Sequence, residues 1–192
     1  MVVKEASLEQ IIKLRELGVK DFGENYAQQL VKKYDSVPDA TWHFIGRIQT
    51  NKIKYIVPRC EYIHSVCRQE EIVEIERVAS KLKKRQKILI EVNVSGEETK
   101  AGVEPGSLSE LLTFSSNFPH VEVIGLMTMA PLVEDAEQVR WVFRKLRELR
   151  DELVDRWPNV VHLSMGMTND FEVAIEEGAT MVRIGRAILK GE

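Results

Sequence analysis

Residues 87–94 read Lys-Ile-Leu-Ile-Glu-Val-Asn-Val and are the clearest predicted β-strand of this sequence. The positions on one side of this strand are all apolar: Ile88, Ile90, Val92 and Val94. A helical pattern precedes the strand, because apolar residues recur there near the 3.6-residue period: Ile72, Ile75, Ala79 and Leu82. A second helical pattern follows, opened by the capping box Ser107–Glu110. The middle of the chain therefore alternates between helix and strand.

The same alternation extends to both ends of the chain. The predicted strands cover residues 2–4, 19–22, 42–45, 62–66, 87–94, 121–127, 160–163 and 180–184. Helical patterns follow them, among them residues 8–17 after a capping box at Ser7–Gln10, 26–34, 50–57 and 139–153. Strict alternation implies a parallel sheet, since parallel neighbours need crossover connections. Eight such units predict a (β/α)8 barrel, whereas a doubly wound open sheet is disfavoured because no G-x-G-x-x-G follows the first strand.

Composition excludes several classes of protein. The 192 residues carry 27 Lys and Arg against 30 Asp and Glu, a net charge of -3, which argues against a nucleic-acid-binding surface. No apolar stretch is long enough to span a bilayer, and Met1–Glu5 lacks the pattern of a secretory leader. Cys60 and Cys67 fit neither a disulfide framework nor a metal site. We therefore expect one cytoplasmic domain over residues 1–192, without membrane or nucleic-acid partners and without a metal.

The carboxyl ends of the barrel strands are where a functional site is expected. Lys4 ends the first strand, and a lysine that loses solvation there becomes a free amine that attacks carbonyls. Ser164 and Gly166 follow the seventh strand and Gly185 follows the eighth, at the two strand ends where many barrels bind phosphate. The alternatives are a solvent-exposed lysine and glycines that serve only as turn residues. Together these residues favour a site for a phosphorylated carbonyl compound.

Arg183 stands at the end of the eighth strand. Arginine stays protonated, so it would donate a hydrogen bond to a pyridine nitrogen and leave that nitrogen unprotonated. A ring bound in this way is a weaker electron sink than one paired with aspartate. The alternative is that Arg183 serves only in a structural ion pair.

At this point the residues resemble a known family, the pyridoxal 5′-phosphate homeostasis proteins, which are similar to the N-terminal barrel of alanine racemase. The matching motifs run through the whole chain: Val3-Lys4, Asp21–Tyr26, Trp42–Gly46 with Gln49 and Asn51-Lys52, Ile63–Ser65, Val92-Asn93, Gly125–Thr128, Leu163–Met167 with Asp170, and Val182–Gly185. The resemblance implies an alanine racemase N-terminal-type barrel with a short or missing N-terminal helix, since three residues precede Lys4.

The resemblance also implies a cofactor site. Lys4 carries pyridoxal 5′-phosphate as a Schiff base, Ser164, Gly185 and residue 186 lie near its phosphate, and Arg183 faces its ring. The side chains expected beside the cofactor are Asn25 and Met127, with His43 and Asn93 around them. Arg186 stands where the family commonly has Thr or Ser, which replaces a hydroxyl donor by a guanidinium.

The implied function is to bind, buffer and carry pyridoxal phosphate in vitamin B6 and amino-acid homeostasis, without strong catalytic activity and without catalytic residues. The protein would act as a monomer that hands the cofactor to apo-enzymes. A first alternative is a weakly active amino-acid racemase, which the length disfavours because 192 residues leave no room for a second catalytic domain. A second alternative is a Schiff-base aldolase without cofactor, in which Arg183 has no obvious task.

Overall fold

The structure is a computed structural model that describes residues 1–97 and 99–189. Its strands are β1 (Asp21–Glu24), β2 (Thr41–Phe44), β3 (Tyr62–Val66), β4 (Gln86–Glu91), β5 (Val121–Met127), β6 (His162–Met167) and β7 (Met181–Arg183). Its α-helices are α1 (Leu8–Glu16), α2 (Ala27–Tyr34), α3 (Ile53–Ile56), α4 (Gln69–Lys81), α5 (Leu108–Ser115), α6 (Arg140–Leu153), α7 (Phe171–Glu176) and α8 (Arg186–Leu189). In the described ranges, no helix has both the length and the apolar character needed to cross a bilayer.

The strands form a parallel sheet in sequential order, β1 to β7. The first residues of the chain close this sheet into a barrel. The Val2 amide donates to the Ile184 carbonyl at 2.7 Å, beyond the end of β7, and the Val3 amide donates to the Gly23 carbonyl at 2.9 Å on β1. The barrel prediction is therefore confirmed, although the expected first strand is reduced to one parallel bridge between Val2 and Gly23.

Apolar side chains fill the layer between the barrel and its helices. The largest fully buried ones are Trp42, Phe22, Phe44 and Phe143. Helix α6 contributes the stripe that its period predicted: Val142, Phe143, Leu146, Leu149 and Leu153. Each large apolar side chain buried in this layer contributes about 1.5–3 kcal/mol. This layer holds the helices on the barrel and leaves the strand ends to carry polar groups.

A second, small apolar cluster consists of Leu89, Ile124 and Met127, against which Tyr62 and Met181 pack. Leu89 lies between Ile88 and Ile90, which both belong to the helix-facing core. Because successive side chains of a strand point to opposite faces, this cluster belongs to the inner face of the barrel. The polar residues that share this inner face define the functional site.

Two capping boxes were predicted and one is present. The Ser7 hydroxyl accepts from the Gln10 amide at 3.2 Å while the Ser7 amide donates to Gln10 Oε1 at 2.9 Å, so the box of α1 is confirmed. The prediction of a capping box at Ser107 is wrong, because the Ser107 side chain makes no capping hydrogen bond. Residues Pro105–Ser107 form a 3₁₀ turn that leads into α5, and Ser107 has helical dihedrals instead of the extended ones that a capping side chain requires.

Strand β6 differs from its predicted bounds in a way that matters for the site. The sequence pattern predicts a strand over 160–163, whereas the observed strand is His162–Met167. The segment Ser164–Gly166, expected in the loop at the barrel mouth, therefore lies within the barrel wall. Ser164 pairs with Met127 on β5 and with Met181 on β7, whereas the register with β7 shifts before Met167 and Gly166 has a φ of +94°.

Candidate functional site

A cavity of about 350 Å³ opens at the carboxyl ends of the strands. Its wall includes five of the seven residues predicted to bind a cofactor: Lys4, Asn25, Arg183, Gly185 and Arg186. The loop after β5 supplies an apolar side through Met129 and residues 131–133, and residues 167–170 close the side next to β6. The mouth of the barrel thus brings together an amine, two guanidinium groups and an amide.

Lys4 follows the two backbone hydrogen bonds that close the barrel. Its side chain is 46% exposed and its Nζ lies 3.8 Å from Glu5 Oε1. The expected loss of solvation at Lys4 is therefore not observed in the protein alone, because its side chain lies at the rim of the barrel beside Glu5. The amine is instead freely reachable from the cavity.

A buried ion pair holds the backbone on which Lys4 stands. Lys33 Nζ, on α2, donates to the Val3 carbonyl at 2.6 Å, to the Lys4 carbonyl at 3.4 Å and to Glu24 Oε2 at 2.6 Å. The other carboxylate oxygen of Glu24 accepts from the amides of Asn25 and Tyr26 at 2.7 and 3.1 Å. The Lys33 and Glu24 side chains are 5% and 0% exposed. This pair ties the start of the chain to the loop that carries Asn25.

Arg183 is the buried cation of the site. Its Nη1 donates to Ser164 Oγ at 2.7 Å and its Nη2 to the Thr128 carbonyl at 2.9 Å, so both bonds go to neutral oxygens. Burial lowers the pKa of Arg183 to about 10, while the charges of Glu91 and Asp170 oppose that shift. The guanidinium therefore stays charged at neutral pH and attracts an anion or a neutral acceptor into the cavity.

Asn25 lines the same cavity and carries an unused acceptor. Its Oδ1 is buried and has no hydrogen-bond partner among the described residues. A buried polar atom without a partner costs about 1–3 kcal/mol, so a ligand that donates to it recovers that free energy. The orphaned oxygen marks a place where the wall is built for a polar ligand.

Gly185 lets the start of the chain approach the end of β7. A Cβ at this position would lie 3.1 Å from the Val2 carbonyl oxygen and 3.2 Å from Val2 Cβ. The absence of a Cβ at this position therefore allows the barrel to close at the end of β7. Arg186 follows at the start of α8, is exposed, and reaches the cavity from its rim.

The two remaining predicted residues do not line the cavity. Met127 is 1% exposed and belongs to the small apolar cluster inside the barrel. Ser164 is fully buried within β6, where its hydroxyl contacts Arg183 and His64. The residues expected around the site also have structural bonds: His43 contacts Asp21 and His64, and Asn93 bonds its own loop through the Glu97 carbonyl and the Gly96 amide.

These residues fit the chemical groups of pyridoxal phosphate. The compound carries an aldehyde, a phosphate dianion, a ring nitrogen and a phenolic hydroxyl. The cavity presents an accessible amine at Lys4, cationic groups at Arg183 and Arg186, and the orphaned oxygen of Asn25. Each group of the ligand thus has a chemically suitable counterpart in the wall, and the fit rests on donors and acceptors that this chain itself supplies.

Sequence reasoning missed the Lys33–Glu24 pair. A signal for it exists, because Lys33 falls three residues after Leu30 and six after Ala27, on the buried face of α2. A lysine on the apolar stripe of a short helix needs a buried acceptor. Sequence reasoning also missed Glu91, which continues the inner-face positions of β4 and is 5% exposed.

Comparison with known proteins identifies the family of this chain. A family model for the alanine racemase N-terminal domain matches residues 1–192. A protein of Aquifex aeolicus named pyridoxal phosphate homeostasis protein is 55% identical over 179 residues, which cover 91% of this chain and 78% of that protein. A Bos taurus protein of the same name is 34% identical over 205 residues, covering 97% of this chain and 74% of the relative.

Solved structures show the same relationship. PipY of Synechococcus elongatus PCC7942, determined with PLP bound, superposes with a TM-score of 0.87 at 32% identity, over 96% of this chain and 88% of that one. The same protein without PLP gives a TM-score of 0.90 at 33% identity, with the same coverage. A diaminopimelate decarboxylase from M. jannaschii shares the fold alone, with a TM-score of 0.82 at 15% identity. The chain therefore belongs to the pyridoxal phosphate homeostasis protein family, within the wider family of alanine racemase N-terminal domains.

Proposed function

We propose that this protein binds pyridoxal 5′-phosphate in the cavity at the barrel mouth and acts as a reserve and carrier of that cofactor. The observation that carries the proposal is the convergence of Lys4, Arg183 and Arg186 on one cavity that Asn25 also lines, with an Oδ1 that has no hydrogen-bond partner within residues 1–97 and 99–189. The family relationship and the PLP-bound structure of PipY support the same function.

The residues of the cavity have separate tasks in this proposal. The Lys4 amine holds the aldehyde carbon of the cofactor. Arg186 and the backbone at Gly185 hold the phosphate, and Arg183 donates to the ring nitrogen. Asn25 accepts from a ring substituent. Ser164 and Met127 act indirectly, since one supports Arg183 from inside the barrel and the other packs beneath the site.

Arg183 also limits what the bound cofactor does. Pyridoxal phosphate supplies an electron sink for amino-acid chemistry, and that sink is strongest when the ring nitrogen is protonated. A guanidinium with a pKa of about 10 keeps its own proton at neutral pH and donates only a hydrogen bond. The cavity therefore favours storage of the cofactor over fast catalysis on it.

Absorbance spectroscopy tests the proposal. Incubation with pyridoxal phosphate should give a yellow protein with an imine band, and borohydride reduction followed by peptide mapping should place the pyridoxyl group on Lys4. The variant Lys4→Ala should lose the reduced adduct at this position, while Lys13→Ala, which changes an exposed lysine of α1, should retain it. A protein that stays colourless with excess cofactor refutes the proposal.

Racemase activity is the second candidate, because the family model that matches is the barrel of alanine racemase. Incubation of the loaded protein with L-alanine measures it directly. We expect little D-alanine, since the cavity wall offers Lys4 as its one lysine among the described residues. Turnover at the rate of a dedicated racemase would replace the carrier function by a catalytic one. The aldolase alternative predicts a substrate adduct without pyridoxyl, which the same mass spectrometry separates.

The partners that we propose are pyridoxal phosphate and enzymes that require it. A monomer in the cytoplasm is the form expected to meet such enzymes. Mixing the loaded protein with a pyridoxal-phosphate-dependent apo-enzyme should restore that enzyme's activity at a rate that depends on the carrier's concentration. Restoration at the rate of free cofactor release alone would argue against direct transfer.

A further inference from the structure

A chain of polar side chains crosses the interior of the barrel from Asp21 to Arg183. Asp21 Oδ1 lies 3.1 Å from His43 Nε2, and His43 Nδ1 lies 2.9 Å from His64 Nε2. His64 Nδ1 lies 2.9 Å from Ser164 Oγ, which lies 2.7 Å from Arg183 Nη1. Asp21 is exposed at one end, whereas His64, Ser164 and Arg183 are buried. Neither histidine takes part in the cofactor contacts described above.

Arg183 determines the direction of every hydrogen bond in this chain. A guanidinium only donates, so Ser164 Oγ accepts from it, and the hydroxyl proton is then available to donate to His64 Nδ1. His64 consequently carries its proton on Nε2 and donates to His43 Nδ1. His43 in turn carries its proton on Nε2 and donates to the Asp21 carboxylate. One arrangement of protons therefore satisfies all links, with both imidazoles neutral.

The reverse arrangement fails at its inner end. If His64 carried its proton on Nδ1, Ser164 Oγ would accept from both His64 and Arg183, and its own proton would have no acceptor in the chain. Burial favours the neutral rings as well, since it lowers the pKa of His43 and lowers that of His64 well below the usual value. The positive charge of Arg183 acts on His64 in the same direction.

We propose that His64 and His43 are positioning residues that hold Arg183 in its orientation toward the cofactor cavity through this directional chain. The guanidinium has five N–H donors. The bonds to Ser164 and to the Thr128 carbonyl occupy two of them and fix the plane of the group. His64 keeps the Ser164 hydroxyl turned so that its lone pairs face Arg183, and His43 keeps His64 in the tautomer that this requires. The contribution to cofactor binding rests on the proposed function, whereas the proton arrangement does not.

Nitrogen NMR of the unmodified protein without cofactor tests the chain itself. Imidazole ¹⁵N shifts distinguish a protonated from an unprotonated ring nitrogen, and single His→Gln variants assign the signals. At neutral pH, His43 and His64 should each show a protonated Nε2 and an unprotonated Nδ1. A proton on Nδ1 of either ring, or a doubly protonated ring, overturns the proposal. The variants serve only to assign the signals. The protonation states themselves are read from the unmodified protein without cofactor.

Two replacements of His64 test the positioning role. Glutamine carries an acceptor and a donor about as far apart as the two ring nitrogens, whereas leucine carries neither. His64→Leu should weaken the affinity for pyridoxal phosphate about tenfold and shift the absorption maximum of the bound cofactor, because Ser164 loses the acceptor that orients its hydroxyl toward Arg183. His64→Gln should restore both values to within about threefold of the unmodified protein, since it makes the same two bonds.

The control is His120→Gln. His120 bonds Glu76 and takes no part in the hydrogen-bonded series from Asp21 to Arg183. This variant should leave affinity and spectrum unchanged. Equal losses in His64→Leu and His64→Gln, or no loss in either, overturn the positioning role. If the unmodified protein binds no pyridoxal phosphate, the proposed function fails while the NMR result still decides the proton arrangement. The two failures are therefore distinguishable.

Discussion

Replacing Glu91 by glutamine is expected to stabilise the protein at neutral and alkaline pH and to have little effect in acid. Glu91 ends β4, is 5% exposed, and stands in register with Met127 on β5. Burial raises the pKa of its carboxyl to about 7, with Glu71 adding to the shift and the charges of Arg183 and Arg47 opposing it. The folded barrel therefore prefers the neutral acid, and glutamine imitates that form in size and polarity.

The size of the effect follows from proton linkage. The folded pKa of about 7 lies above the reference value of 4.5. Between these values the folded state binds more protons than the unfolded state, so stability falls as pH rises through this window and stays low above it. A shift of this size costs about 3 kcal/mol once the carboxyl is ionised in both states. The glutamine variant does not titrate, so it should gain about 3 kcal/mol at about pH 8 and almost nothing below about pH 4.5.

Urea unfolding followed by tryptophan fluorescence measures this difference. The unfolding free energies of the two proteins should diverge by up to about 1.4 kcal/mol per pH unit within the window. Glu104→Gln, which changes an exposed glutamate in the loop after β4, should give no pH-dependent gain. Parallel curves for the unmodified protein and Glu91→Gln would show that Glu91 is ionised and satisfied in the folded state, and the reasoning would be refuted.

Three further changes probe the frame around the cavity. Lys33→Met should cost about 3–5 kcal/mol of unfolding free energy, since it leaves a buried carboxylate unpaired, whereas exposed Lys32→Met should cost less than about 0.5 kcal/mol. Gly46→Ala should cost about 1–3 kcal/mol and weaken cofactor binding, because its Cβ would lie 2.0 Å from the Asn25 carbonyl oxygen. Because burial lowers the pKa of His64, the unfolded chain takes up this proton first, so stability should fall as pH drops below about 6.5 and His64→Gln should flatten that fall.

Urea unfolding measures all three, and cofactor titration measures the second. Equal stability of Lys33→Met and Lys32→Met would show that the buried Lys33–Glu24 pair does not stabilise the fold. If Gly46→Ala binds pyridoxal phosphate with unchanged affinity, the position of the Asn25 loop does not affect cofactor binding. If the unfolding free energy of His64→Gln falls below about pH 6.5 as steeply as that of the unmodified protein, His64 takes up its proton in the folded state as readily as in the unfolded one. That result would contradict the neutral His64 of the proposed proton arrangement.

The alternation of periods along the chain was sufficient to predict the parallel barrel, because each pattern reports a local property of its own segment. The spacing of apolar residues places one face of each helix on the sheet, and strand–helix alternation allows few topologies. The same frame predicted that Lys4 and Arg183 meet at one mouth, since parallel strands end on one side. Five of the predicted site residues line one cavity for this reason.

The placement of the other site residues could not be predicted from local patterns. Ser164 was expected in a loop and lies in β6, because the end of a strand depends on pairing with neighbours that are distant in sequence. Met127 ends its strand as expected, yet its side chain packs inside the barrel. The predicted burial of Lys4 was wrong for a similar reason, since the depth of a side chain at the rim depends on how the barrel closes around it.

Sequence alone thus determined the barrel, the side of it that carries the site, and the chemical character of that site as an amine beside cationic groups. Only the tertiary structure decided which polar groups meet inside. The Lys33–Glu24 pair joins residues nine positions apart, and the bond between His64 and Ser164 spans one hundred. Such contacts depend on strand register and on which face each side chain takes. Both follow from the packing of the whole barrel, which no local pattern reports.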